Sequence, residues 1–271
     1  MTAPRSPMAA PLSLQLLYRG YLVLAALFFA VPVLVVVLVS FDAAGYVKFP
    51  PSGLTLDWYR RVFAAASMRL ALLNSVEVGL GCTLLSLALG VPAAIVLARR
   101  RFRGRDAIYS LVMSPLTVPW IIIGLALLFL WGALGLRLNI VTLILGHTIV
   151  GIPYVVRTST AALAGIDIAY ELAARNLGAG RIEAFWRVTL PMMRMGILAG
   201  ASFVLLISFV NVPVSLFVTT SDTVTLPIAI FSYLLSNYDP GVAAIATVQM
   251  AVILVVLALA QRIANARDFL L

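Results

Sequence analysis

The chain of 271 residues is 63% hydrophobic and only 11% charged, with a net charge of +9 and a single cysteine, Cys82. Soluble domains are roughly half apolar and about a quarter charged, so this excess is more than a water-soluble core of this length could bury, and lipid must solvate much of it. One cysteine rules out an internal disulfide or a cysteine-based metal cluster, and basic clusters without interleaved aromatics speak against a nucleic-acid surface.

A membrane-spanning helix needs about 20 mainly apolar residues, and six uncharged runs meet or approach that length. The first, Tyr21–Phe41, follows a polar tail of residues 1–18. It is longer and starts later than the apolar core of a secretory signal, so it reads as an uncleaved anchor helix. A loop reaching residue 69 follows, and then the second run, Val78–Ala98. Glu77, at the outer end of that run, is either a contact for a transported solute or a group reaching interfacial water. Cys82, inside the run, reads as a small packing residue. The third run, Ala107–Leu136, is long enough to tilt or to include part of a loop, and Gly132, Gly135, Arg137 and Asn139 mark a short break after it.

The fourth run, Leu138–Val156, contains His147, the only histidine. It reads either as a path-lining or gating group or as a packed polar residue bonded to a neighbouring helix, with no obvious partner nearby in sequence. The fifth run, Met195–Ser221, opens with Gly196 and Gly200, spaced for close helix approach. Ser208 and Asn211, further along it, are candidates for lining a path or for bonding between helices. The sixth is Gly241–Gln261. Pro92, Pro115, Pro119, Pro153 and Pro213 interrupt the runs, which suits a transport path and ordinary bundle packing equally.

The cationic residues are unevenly placed. With the N-terminus inside, fourteen of the nineteen Lys and Arg residues fall on the cytoplasmic side. They are Arg5, Arg19, Arg99, Arg100, Arg101, Arg103, Arg105, Arg157, Arg175, Arg181, Arg187, Arg194, Arg262 and Arg267. Lys48, Arg60, Arg61, Arg69 and Arg137 fall outside. Cationic side chains resist transfer across the membrane, so this asymmetry predicts cytoplasmic N- and C-termini.

Between the fourth and fifth runs lies a polar cytoplasmic segment, residues 157–194. Asp167 is placed to cap a short helix, and Gly178 sits where a helix C-terminus needs positive φ. Ile182, Phe185 and Trp186 recur at helical spacing on a second half, which Pro191 is expected to stop. Two short helices joined at a glycine would form a stiff knob able to pass force from a soluble partner to the spans. The plainer alternative is an amphipathic loop lying on the membrane surface.

This segment resembles the cytoplasmic loop of binding-protein-dependent ABC importer permeases, whose pattern is Glu-Ala-Ala, three residues, Gly, nine residues, then Ile or Val, any residue, Leu-Pro. Here Ala173, Ala174, Gly178, Val188, Leu190 and Pro191 fit. The glutamate position holds Leu172, with Glu171 one residue earlier, a shift that turns a helical side chain by about 100°. Further likeness to the spermidine/putrescine-type branch covers about 200 residues. It is carried by Phe49-Pro50-Pro51, Trp58-Tyr59, Asn74-Ser75, Pro153-Tyr154, Ser208-Phe209, Thr225-Leu226-Pro227 and Asp239-Pro240.

The resemblance implies an all-α polytopic bundle in a bacterial inner membrane, a type I importer permease. It divides the chain into the tail 1–18, a first span and periplasmic loop 19–69, a transmembrane domain 70–263, and a cytoplasmic tail 264–271. It also implies partners: a second permease subunit completing the path, ATPase subunits on the cytoplasmic loops, and a periplasmic solute-binding protein.

The only lysine, Lys48, lies in a proline-rich segment assigned to the outer face, so the chain lacks the lysine of a P-loop. The chain is therefore not expected to be an enzyme or to bind a cofactor itself, and ATP with Mg is assigned to the partner ATPase. No Gly-x-Ser-x-Gly setting suggests hydrolase chemistry. Members resembling polyamine carriers often place acidic residues after the Ser-Phe of the fifth run. Here Val210 and Asn211 stand there, which lowers the expectation of a polyamine against another small organic solute. A stand-alone secondary carrier or channel is the alternative, and few acidic groups in the runs could form its coupling-ion site.

Overall fold

The computed structural model describes residues 12–266. Twelve α-helices lie among the described residues: α1 Leu12–Val39, α2 Asp57–Ala64, α3 Ala66–Arg99, α4 Arg105–Met113, α5 Trp120–Ala133, α6 Ile140–Ala164, α7 Ala169–Asn176, α8 Arg181–Ala184, α9 Leu190–Val210, α10 Val212–Val218, α11 Leu226–Ser236 and α12 Gly241–Ala266. No strand occurs among them, only an isolated bridge pairing Asp42 with Leu54. Five helices are long and apolar enough to cross a membrane, and a bent pair makes a sixth candidate. The all-α polytopic expectation is met.

Two compact units form: the chain up to Arg61 with Tyr238–Thr247, and Val62–Asn237 with the residues from Val248 onward. In the first, α1 starts at Leu12, so the latter part of the expected 1–18 tail is helical and Arg19 lies within α1. Arg5 and Arg267 lie outside the described residues. Apolar side chains such as Leu24, Phe28 and Phe29 are exposed along α1. Such a surface is stable only against lipid or another apolar chain.

Past α1 the loop is pinned by Asp42. Its Oδ1 accepts from the Ser52 amide and hydroxyl, each at 2.9 Å, and from the Ala44 amide at 3.1 Å. Trp58 Nε1 donates to the Asp42 carbonyl at 2.9 Å. Burial alone would raise the Asp42 pKa. The Ser52 and Ala44 hydrogen bonds, helped by the Lys48 charge, outweigh it and hold the carboxyl below its ordinary value.

In the second unit α3, α6 and α9 pack pairwise, α10 packs on α5 and α6, and α11 lies against α3 and α10. Val78, Leu143, Val150, Val214 and Val218 form an apolar core between them. The close approach expected at Gly196 and Gly200 is present. A Cβ at Gly196 would meet the Thr158 carbonyl oxygen at 2.8 Å, and one at Gly200 would meet Val155 Cα at 3.0 Å. Hydrogen replaces the side chain at both places, and the α9 backbone lies directly on α6.

Two of the expected runs are broken. Of the two readings of the third run, the tilted single span gives way to the one with a loop inside it: the segment Arg105–Leu116 and α5 meet at 105°. Pro115 lies in the 3-10 turn Ser114–Leu116 and Pro119 at the start of α5, and each removes a backbone donor where the helix would have continued. The fifth run breaks at Asn211, whose side chain caps α10 by accepting from the Val214 amide at 3.1 Å. Between α5 and α6 the expected break is sharp. Gly135 takes φ +67°, and Asn139 forms a reciprocal capping box with Thr142.

Candidate functional site

The first candidate is the knob between α6 and α9. It is shorter than residues 157–194, because α6 continues to Ala164, with Ser159 and Leu163 buried. Asp167 Oδ1 accepts from the Ala169 amide at 2.9 Å and so opens α7, as its position suggested. Gly178 takes φ +100°. The Gly178 amide donates to the Arg175 carbonyl at 3.0 Å, and the Ala179 amide donates to Ala174 at 3.1 Å. That pair of bonds is a Schellman closure, which needs the left-handed residue that only glycine adopts without strain.

The second half corrects the expectation for Pro191. It does not stop a helix. Instead α8 runs through a π turn, Phe185–Thr189, directly into α9, and Pro191 sits in the first turn of α9. A proline in a regular helix clashes with the carbonyl four residues back and lacks the N–H to bond it. The wide turn, closed by the Leu190 amide on the Phe185 carbonyl, relieves that conflict just upstream.

Glu171 projects from α7 toward α3, where its carboxylate pairs with the Arg99 guanidinium and accepts from Thr189 Oγ1 at 3.1 Å. Burial by itself would raise its pKa. The hydrogen bonds from Arg99 and Thr189, with the charges of Arg99 and Arg175, overcome this and hold the carboxyl below its ordinary value of 4.5. Leu172, at the pattern's glutamate position, is 46% exposed. The acid that reaches the bundle is therefore the displaced Glu171.

Ala174, Val188 and Leu190 are half-buried, while Ala173 and Pro191 are exposed. Leu177, beside Gly178, is 90% exposed, and Ile182 and Trp186 are also exposed. Sequence reasoning missed Arg99, read only as part of a basic cluster, and Thr189, which occupies the unspecified position between Val188 and Leu190.

The second candidate is a polar core within the bundle. His147 is 2% exposed, with Nδ1 2.9 Å from Ser208 Oγ and Nε2 2.9 Å from Ser215 Oγ. His147 thus ties α6 to α9 and α10 across the break at Asn211, through partners distant in sequence. Gln249 on α12 donates to the Phe209 carbonyl at 2.6 Å, another residue the sequence did not single out. Asn211 Nδ2 and Gln249 Oε1 are buried without a hydrogen-bond partner. Ser208 and Asn211 are buried with His147, whereas Glu77 is exposed on α3.

Two further pairs quoted from the sequence meet here. Asn74 Nδ2 donates to the Asp222 and Val224 carbonyls at 2.9 Å, and Ser75 Oγ accepts from the Leu226 amide at 2.7 Å.

With this geometry in place, comparison with known proteins is informative. Residues 90–267 match the family described as binding-protein-dependent transport system inner membrane component. The spermidine/putrescine transport system permease protein PotC of Haemophilus influenzae is 30% identical over 233 residues, covering 86% of this chain and 90% of that protein. The molybdenum transport system permease protein ModB of Mycobacterium tuberculosis is 33% identical over 226 residues, covering 76% and 85%. A bacterial ABC transporter involved in import of the acidic polysaccharide alginate shares the fold, with a TM-score of 0.70 at 18% identity, covering 95% of this chain and 99% of that one. A helical membrane bundle, a glycine-closed knob joined to α9, and a family match over most of its length converge: this chain belongs to the binding-protein-dependent transport system inner membrane components, as a permease of a type I ABC importer.

Proposed function

We propose that this chain forms half of the translocation path for a small solute and is driven by separate ATPase subunits through the α7–Gly178–α8 knob. The observation that carries the reading is the knob itself. It is a short, capped projection with an exposed apolar tip at Leu177, and it is held to α3 through Glu171 and Arg99. A projection fixed at its base and apolar at its tip is suited to seat in a soluble partner and carry displacement into α9.

The proposal assigns the knob and both termini to the cytoplasm, in keeping with the placement of the cationic residues. It assigns ATP and Mg to the partner ATPase, delivery to a periplasmic solute-binding protein, and the other half of the path to a second permease subunit. The domain limits proposed are 70–263 for the transmembrane domain and 264–271 for a cytoplasmic tail. A small organic solute is proposed. Relatives named for spermidine/putrescine and for molybdenum transport leave polyamine and other chemistries as separate arms of a substrate screen. Glu77 is proposed to face the path. His147, Ser208 and Asn211 would reach it only when α9 and α10 move.

Vesicles holding every subunit test the reading. Gly178→Trp is expected to abolish ATP-driven uptake while leaving the partners assembled, and undiminished uptake by that variant would refute the coupling role. A cysteine introduced at Leu177, in a Cys82→Ala background, should react with an impermeant thiol reagent only from the cytoplasmic side.

A further inference from the structure

The groove between the end of α3 and the knob has chemistry that force transmission does not require. It encloses about 630 Å³ and is bordered by four arginines, Arg99, Arg100, Arg175 and Arg181, against a single acid, Glu171. That acid is already engaged by Arg99 and Thr189. Among the described residues no carboxylate lies within ion-pair distance of Arg100, Arg175 or Arg181. Arg175 acts on Glu171 only at longer range, so the groove carries a marked excess of positive charge.

The remaining wall is apolar. Val96 of α3, Ile182 of α8 and Trp186 in the π turn are all exposed at its edge. The groove lies at one end of both long helices, because α3 ends at Arg99 and the continuous helix that includes α9 begins at Arg181. In a bilayer the end of a spanning helix is where the headgroups lie, and tryptophan concentrates in that layer.

We propose that this groove binds the headgroup of an anionic phospholipid, with phosphate oxygens on Arg100, Arg175 and Arg181 and an acyl chain along Val96, Ile182 and Trp186. Guanidinium forks match phosphate geometry with two parallel hydrogen bonds, and basic pockets between spans on one leaflet are suited to such headgroups. A free phosphate would satisfy the arginines but leave the apolar wall facing water. A zwitterionic lipid would cover the wall but bring its own cation to the arginines. Only an anionic lipid answers both halves of the site. The proposal rests on the membrane-spanning fold and makes no use of ATPase docking.

The test uses the full chain, purified in mild detergent without any partner and offered equimolar dioleoyl phosphatidylglycerol and dioleoyl phosphatidylcholine. Native mass spectrometry reads the lipid retained. A surface arginine contributes about fivefold to anionic-lipid affinity. The triple variant Arg100→Gln/Arg175→Gln/Arg181→Gln is therefore expected to lose at least about tenfold in phosphatidylglycerol retention. The control Arg60→Gln/Arg61→Gln/Arg69→Gln removes as many charges elsewhere and should keep the preference.

If the triple variant does not fold, Arg100→Gln and Trp186→Ala singly, with quenching of tryptophan fluorescence by brominated phosphatidylglycerol, give the same readout. Equal retention of the two lipids, or equal loss in the control, overturns the proposal. Displacement of the lipid by a few millimolar inorganic phosphate overturns it in favour of a free-anion site. Unchanged phosphatidylglycerol retention in the groove variant likewise overturns it. Because the lipid assay contains no ATPase, its failure leaves the coupling proposal standing.

Discussion

The carboxylate of Glu171 is paired with the guanidinium of Arg99, seventy-two residues earlier in the chain, and both side chains are largely withdrawn from solvent. With Thr189 on the same oxygen, the pair joins three segments: the end of α3, the knob, and the π turn leading into α9. Removing one member leaves the other charge half-buried and unpaired. Glu171→Gln and Arg99→Gln are each expected to cost about 1.5–3 kcal/mol of stability, read by thermal unfolding of the purified chain. The exchanged pair Arg99→Glu/Glu171→Arg should recover part of the loss. Recovery in the exchange would separate a charge pair from mere packing.

That pair also sets a pH dependence. The folded-state pKa of Glu171 is depressed below its ordinary 4.5, so its contribution is fully present above that value. It is lost as pH falls through the lower folded value. The stability difference between the wild type and Glu171→Gln should therefore be constant from neutral pH down to about 5 and then shrink with further acidification. A gap that grew on acidification would be inconsistent with a depressed pKa.

Gly178 sustains a backbone conformation that a side chain opposes. Gly178→Val should cost about 1–2 kcal/mol locally, and Gly178→Asn less, because asparagine tolerates the left-handed region. Limited proteolysis between α7 and α8 measures this directly, with cleavage ordered Val, then Asn, then wild type.

His147 bridges two serines on different helices. His147→Ala would strand both hydroxyls in the bundle interior and is expected to lower stability by about 1–3 kcal/mol. Replacing Ser208 and Ser215 by alanine in the same chain should add little to that loss. A double-mutant cycle in detergent checks the non-additivity.

The seam between α6 and α9 has no room for side chains. Gly200→Leu would drive carbon into Val155 Cα and Thr158, both on α6, and backbone cannot be moved cheaply. Loss of the monodisperse folded peak in size-exclusion chromatography is expected, and Gly20→Leu on α1, where nothing lies within 4 Å, should leave the peak intact.

Much of this was legible from the residues. Uncharged length located the spans, Gly135 and Asn139 marked the α5–α6 boundary, and the place of Gly178 at a helix end foretold its positive φ. The 105° bend was not legible, because Pro115 and Pro119 leave an apolar run uncharged whatever its direction. The role of Pro191 was misjudged because a proline forbids only a regular helix, and a π turn upstream removes the conflict. Arg99 was missed for another reason: its partner is distant in sequence, and local periodicity carries no information about contacts made by folding.

The π turn has a consequence for how the motif's spacing is counted. A π turn carries one residue more than the α turn it replaces, so the interval from Gly178 to Val188 includes an insertion that the helix has absorbed. Deleting one residue from Phe185–Thr189 would restore regular winding and leave the flanking segments nearly in phase, because the wide turn spends its extra residue within a single turn. Glu171 would stay beside Arg99, and Pro191 would again meet the carbonyl four residues before it. The wide turn thus lets the knob and the membrane helix keep one alignment with an extra residue between them.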